Sequence, residues 1–331
     1  MRSHRVSVLV LIVVSLVTIL IYHIYICPPT YRKDSPETDV LIPEGLSTME
    51  IASCLRDCGI IDNPIAFVLL ARLRGLEKQL KAGKYQLPKD MTELDCVKIV
   101  SKGGITSVSV TVPEGLTLDA SARLLTEQLE IDGERFRTLC TDSGFIDSLE
   151  LEGRSLEGYL FPDTYRFCWG MREEEVLEVM VRRFKAVFAE EWMKSEEPRG
   201  LSRYEVLILA SIIEGETLRS DEGPLISAVF HNRLRLNRPL QADPTIQYIL
   251  REHKPRILYK HLKIDSPYNT YLYRGLPPSP ICSPGRMSIR AALNPAQVDY
   301  LYFVAEGNGR HIFSRTLQEH NLAKRAVRSQ Q

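Results

Sequence analysis

The chain has 331 residues, 44% of them hydrophobic and 25% charged, ordinary globular values with length for a large core and about two domains. Lys plus Arg and Asp plus Glu are equal at 42 each, and no arginine-rich stripe is interleaved with aromatics, which argues against a nucleic-acid partner. The seven cysteines are scattered without a CxxC pair and the seven histidines contain no HExxH, so no metal and no cofactor is expected. Cys54 and Cys58, one helical turn apart, fit a bridge or ordinary packing equally well.

In chain order, Arg2 and Arg5 precede a mostly apolar run from Val6 to Ile26, enough for one bilayer crossing. A cleaved signal peptide would have a shorter core and end in small residues, whereas this run ends "IYHIYIC". Ile26 is also too bulky to precede a lipidated Cys27. The reading is an uncleaved anchor over 6–26, with residues 1–5 cytoplasmic, a proline-bearing linker over 27–38, and the remainder on the far side of the inner membrane.

An internal repeat follows. "VLIPEGLSTMEIASCL" (Val40 to Leu55) and "VTVPEGLTLDASARLL" (Val110 to Leu125) align without gaps. Each reads as a short strand, a Pro-Glu-Gly turn and a capped helix: Ser47 with Glu50 forms a capping box in the first copy. Thr117, Asp119 and the stripe Leu118, Ala122, Leu125, Leu129 start the helix of the second. The first module, 39–105, continues with a helix in "NPIAFVLLARLRG", a strand in "KAGKYQLP" and a helix in "MTELDCVKIVSKGG". The second module and a helical connector occupy 106–200, and 201–328 reads as a helix, then loop-rich sequence, then a hairpin in "DYLYFVAEGNGRHIFS". Two copies point to two small α+β modules, and a duplicated scaffold without a ligand fits them too.

The stretch "ILASIIEGETLRSD" (Ile208 to Asp221) carries the chemistry. Ser202 and Glu205 form a second capping box, which starts a helix at Arg203. Its apolar run, Val206 to Ile213, ends on Glu214, and Gly215 is favoured just past a helix end. An apolar wall and the negative end of the helix dipole would both disfavour ionisation of Glu214, which suits a general acid. Glu216 stands roughly 200° around the helix and would not share that face. Thr217, at i+3, would, and could hydrogen-bond the Glu214 carboxyl. A glutamate open to water, with Ile212 and Ile213 supplying the burial, fits the same residues.

The segments "ASIIEGET", "AVFHNRL", "LQADPTIQY", "PYNTY", "GLPPSPICSPG", "AALNP" and "YLYFVAEGNGRHIFS", with "EGYLFPDTY" upstream, resemble the endolytic murein transglycosylase (YceG-like) family in kind and order. The resemblance implies a membrane-anchored protein in which a LysM-like α+β module precedes an α+β YceG-like catalytic domain. It implies peptidoglycan glycan strands as substrate, with membrane peptidoglycan synthases as protein neighbours. It also implies non-hydrolytic cleavage of the β-1,4 bond between N-acetylmuramic acid and N-acetylglucosamine, leaving 1,6-anhydro ends, with Glu214 as the catalytic carboxyl. Gln241 and Asp243, and Tyr268, Asn269 and Tyr271, offer hydrogen-bonding and stacking groups suited to sugars, although Asn, Asp and Pro also dominate plain turns. Glu157 and His311 are further candidates, while His231 reads as a packing histidine. Gly215 departs from the family, which often has lysine there, and so do Ser279 and Cys282-Ser283. A hydrolytic muramidase using Glu214 with Asp243 or Asp163, and a non-catalytic glycan-binding scaffold, are the alternatives.

Overall fold

The computed structural model describes residue 15 and residues 37–330, apart from 44, 90, 103–106, 169, 196–199, 218 and 252–256. The chain divides into two compact units, Met1–Val108 with Arg166–Met171, and Ser109–Tyr165 with Arg172–Gln331. Its architecture is mixed α+β, as expected.

In the first unit β1 (Glu37–Ile42) is followed by α1 (Thr48–Asp57), α2 (Pro64–Leu73), β2 (Gly83–Pro88) and α3 (Glu93–Lys102). β1 and β2 pair antiparallel, with Val40 opposite Tyr85 and Ile42 opposite Gly83. The period-2 alternation sends Val40, Ile42, Tyr85 and Leu87 inward, where they meet Leu55, Phe67 and Val97. The expected capping box opens α1: the Ser47 backbone N–H donates to Glu50 at 2.7 Å, and the Ser47 hydroxyl accepts from the Glu50 amide. Asn63 caps α2, and Pro64 occupies its first turn, where a missing N–H costs nothing. Cys54 and Cys58 are both free thiols, and the Cys54 thiol donates to the Leu41 carbonyl at 3.3 Å.

The chain continues through β3 (Ser107–Thr111), α4 (Leu118–Leu129), α5 (Gly133–Leu139), α6 (Ser143–Ser148) and β4 (Thr164–Cys168), and β3 pairs with β4. Thr117 caps α4, and the predicted stripe is buried at Ala122, Leu125 and Leu129. α7 (Glu173–Lys194) and α8 (Arg203–Glu216) come next. α8 begins at the predicted residue, with the Ser202 N–H donating to Glu205 at 2.7 Å, but it runs through Gly215 and ends two residues beyond Glu214. Every side chain from Val206 to Ile213 is buried, so α8 is the core of its unit. The polar Ser211 in that run is satisfied: its hydroxyl donates to the Ile208 carbonyl at 2.7 Å and accepts the Ile281 amide at 3.0 Å.

The tail is more helical than expected. α9 (Gly223–Arg235), α10 (Asp243–Leu250) and α11 (Arg286–Leu293) occupy sequence read as loops. Pro224 and Pro244 stand in the first turns of α9 and α10, where proline starts a helix rather than breaking one. The predicted hairpin is present as β5 (Tyr302–Ala305) and β6 (His311–Ser314), with Ala305 opposite His311, and α12 (Leu317–Gln330) closes the chain. α11 packs on α8 and α7, and Glu191 of α7, 1% exposed, accepts from Arg286 at 2.7 Å and Arg290 at 2.9 Å.

One expectation is corrected. The run 6–26 lies outside the described residues, and no helix among those described is long and apolar enough to cross a membrane. α7 has the length, at 22 residues, but acids and bases are spread along it. The inner-membrane, single-pass placement is therefore withdrawn.

Candidate active site

The last turn of α8 carries two carboxylates, Glu214 and Glu216, at the negative end of the helix dipole. Gly215 between them is required by packing, since a Cβ there would stand 2.6 Å from Pro244 Cβ. The bare backbone lets α10 approach, and a lysine at this position would force the two helices apart. The start of α10 then meets Glu216: the Asp243 backbone N–H donates to Glu216 Oε1 at 3.1 Å. Asp243 in turn accepts the Tyr271 hydroxyl at 2.5 Å. Gln241 holds a left-handed φ of 54°, with its N–H on the Thr270 carbonyl at 3.0 Å. Its side-chain oxygen accepts from Arg233 at 3.1 Å.

These groups share a cavity of about 450 Å³, lined by Glu216, Gln241, Asp243, Tyr271 and His311 and, from α12, by His320, Asn321 and Lys324. Although Glu216 is only half-buried overall, loss of hydration at the cavity wall, and secondly the charge of Asp243, push its carboxyl up to about 8. The Asp243 amide and Arg233 act the other way but do not outweigh burial. Burial and the bond to Asp243 likewise raise Tyr271. His311 Nδ1 lies 2.8 Å from the buried Glu222 carboxylate, whose other oxygen accepts the His311 backbone N–H at 3.1 Å.

Glu214 does not line this cavity. It is half-buried, and its Oε2 accepts the Gly285 amide at 2.9 Å. Glu114, from the second Pro-Glu-Gly turn, faces the same glycine, where an added Cβ would fall on the Glu114 carboxyl. Partial desolvation, and secondly the charge of Glu214, raise Glu114. Glu114 was not among the candidates read from the sequence, because its Pro-Glu-Gly turn reads as part of a repeat, and Gly285 and Glu214 are distant in sequence.

The other candidates, Thr217 excepted, have structural partners. The Thr217 hydroxyl is buried without a hydrogen-bond partner, so the expected bond to Glu214 is not made. Asn269, fully buried, donates to the Leu262 and Ile264 carbonyls at 3.1 and 2.7 Å and accepts the Tyr271 amide at 3.0 Å, which makes it the staple of its loop. The Tyr268 hydroxyl pairs with Ser279 at 2.7 Å, and its ring lies 5.0 Å from that of Tyr248. Tyr248 donates to Glu157 at 3.2 Å, and the Leu118 amide does so at 2.8 Å, yet burial still pushes Glu157 up to about 7. Asp163 is ion-paired with Arg183 at 2.7 Å, and His231 lies 2.9 Å from the Ala292 carbonyl.

A half-buried acid at a helix terminus, facing a polar cavity, is a general-acid arrangement found on unrelated folds, so family membership rests on comparison. The YceG-like family model matches residues 40–326. The chain belongs to the YceG-like family. A protein of Bacillus subtilis (strain 168) named endolytic murein transglycosylase is 36% identical over 311 residues, covering 88% of this chain and 86% of the relative. A Streptococcus pneumoniae protein of the same name is 30% identical over 316 residues, covering 85% of this chain but 56% of that longer protein. The crystal structure of a yceG-like protein from Listeria monocytogenes, 34% identical, superposes with a TM-score of 0.59 over 88% of this chain and all of that one. The YceG-like match spans the whole arc from β1 to α12, so the cavity and the Glu114–Glu214 pair both lie within it.

Proposed function

We propose that this YceG-like protein is a lytic transglycosylase that cuts the β-1,4 bond between N-acetylmuramic acid and N-acetylglucosamine within peptidoglycan glycan strands. The names of its relatives in B. subtilis and S. pneumoniae support the reaction class. The observation that carries the mechanism is Glu216, a carboxyl raised to about 8 that opens on the one described cavity holding Gln241, Asp243, Tyr271 and His311 together. The sequence pointed to Glu214 for the same chemistry; the cavity favours its neighbour two residues on.

Near neutral pH Glu216 is protonated and can give its proton to the glycosidic oxygen as the C1–O4 bond breaks. The resulting carboxylate then takes the proton of the muramoyl 6-hydroxyl as O6 bonds to C1, closing the 1,6-anhydro ring. The proton leaves and returns, and no water is consumed. Ordinary glycosidases need a second carboxylate to activate water or to form a covalent intermediate. Here the internal hydroxyl takes that place, so one carboxyl suffices. Tyr271 and Gln241 are suited to orient the sugar, and the Glu222–His311 pair to hold the hairpin wall.

Asp243, beside Glu216 in the cavity, keeps a second reading in view: a hydrolytic muramidase with two carboxylates. Digestion of purified strands separates the two, because anhydro ends are lighter by one water than reducing ends. In the same reading residues 39–105 form a LysM-like glycan-holding module, supported by the antiparallel β1–β2 pair with two helices between its strands. Residues 106–200 carry the second Pro-Glu-Gly turn, 201–328 the cavity, and peptidoglycan synthases are the expected protein neighbours.

A further inference from the structure

The cavity is electrically two-sided. Its α8 and α10 wall presents Glu216 and Asp243, whereas α9 contributes Arg233 and α12 contributes His320 and Lys324 to the lining. Arg233 is already committed: it donates to the carbonyls of Leu301, Pro239 and Leu240 and to Gln241, and its guanidinium lies 5.1 Å from the Tyr302 ring centre. Burial first, and the Lys324 charge second, lower the pKa of His320, and its ring stacks on Tyr302. Lys324 is exposed and has no ion-pair partner among the described residues. The free cation of the cavity wall is therefore an ammonium on a long, flexible stem, with the Asn321 amide on the same helix one turn before it.

The proposed substrate has one source of complementary charge. Its sugar rings are neutral once the muramoyl lactyl group is amide-linked to the stem peptide, so the anions are the free carboxylates of that stem. The stem leaves the same muramoyl residue whose C1 reacts, which brings it into the cavity alongside the bond to be cut. We propose that Lys324 binds a free carboxylate of the stem peptide, so that the α12 wall sets a preference for strands whose stems are anionic. This rests on the transglycosylase reading above and adds the part of the substrate that the glycan chemistry leaves open.

The test uses the full chain and two strand preparations of equal length: one with the stem carboxylates free, one with them converted to neutral amides. The wild type should show the lower KM on the anionic strands and the same kcat on both. An exposed ion pair is weak, so Lys324→Ala should raise KM for anionic strands by only about two- to five-fold and leave the amidated strands unchanged. Lys324→Glu should invert the preference, and Lys324→Arg should keep it. Equal KM values for the two preparations in the wild type, or variants that shift both alike, would overturn the assignment. Binding of both strands is measured in parallel: preferential binding without cleavage counts against the reaction alone, and cleavage without preference counts against Lys324 alone.

Discussion

At the scale of single residues, the proposed chemistry rests on Glu216. Its carboxyl is raised from 4.5 to about 8, so between those values the folded chain keeps a proton that the unfolded chain has released. Folding stability must then fall as pH rises from about 4.5 to about 8, and level off above. Glu216→Gln removes the group that is charged in a poor place. The variant should match the wild type near pH 4 and exceed it by a few degrees in Tm at pH 8, on thermal denaturation across that range. A constant difference at all pH values would place the carboxyl in water. Glu157, raised to about 7, adds a loss of the same sign, but it is present in both proteins and cancels from the comparison. For activity the sign is the same: the acid must carry its proton, so kcat/KM should decline above about pH 8.

At the scale of elements, the site depends on how closely α8 and α10 approach. An exposed helical glycine replaced by alanine usually gains about 1 kcal/mol. Gly215→Ala should instead lose stability, by about 1–3 kcal/mol, because the new methyl meets Pro244 and overpacking is costly. The same shift moves the Asp243 amide off Glu216, so kcat should fall with it; a stabilised, fully active Gly215→Ala variant would contradict this contact. α11, which brings Gly285 to Glu214, is held by Glu191 of α7 through Arg286 and Arg290. Both arginines retain access to water, so Glu191→Ala should cost about 1–3 kcal/mol, the value of charge-assisted hydrogen bonds, in denaturant unfolding. Glu191→Gln, which keeps the shape, should lose less.

At the scale of the whole molecule, much of the framework is legible in local patterns: the capping boxes at Ser47 and Ser202, the strand–turn–helix repeat, and the Gly-Asn-Gly hairpin. What could not be read from them depends on contacts distant in sequence. Gly215 has the local signature of a helix stop, but α8 continues through it, and the missing side chain instead makes room for Pro244 from another helix. That continuation puts both Glu214 and Glu216 on the last turn of α8, and the cavity that carries the proposed mechanism reaches Glu216. The principle of a buried acid at a negative helix end survives, two residues further along. Asn269 and Tyr268 looked like sugar ligands by type, yet their partners are the Leu262 and Ile264 carbonyls and Ser279. Glu114 was hidden because its Pro-Glu-Gly turn repeats an earlier one in the sequence, while Gly285 and Glu214, which it meets, lie far along the chain.

The decisive measurement is digestion of purified peptidoglycan strands by the wild type, Glu216→Gln and Glu214→Gln, with product ends weighed by mass spectrometry. The wild type should yield fragments ending in 1,6-anhydro-N-acetylmuramic acid. Glu216→Gln should still bind strands while losing about 100- to 10,000-fold in rate, the usual contribution of a general acid, and Glu214→Gln should retain most of its activity. Retained cleavage in Glu216→Gln with loss in Glu214→Gln, or reducing ends one water heavier, would contradict the mechanism proposed here.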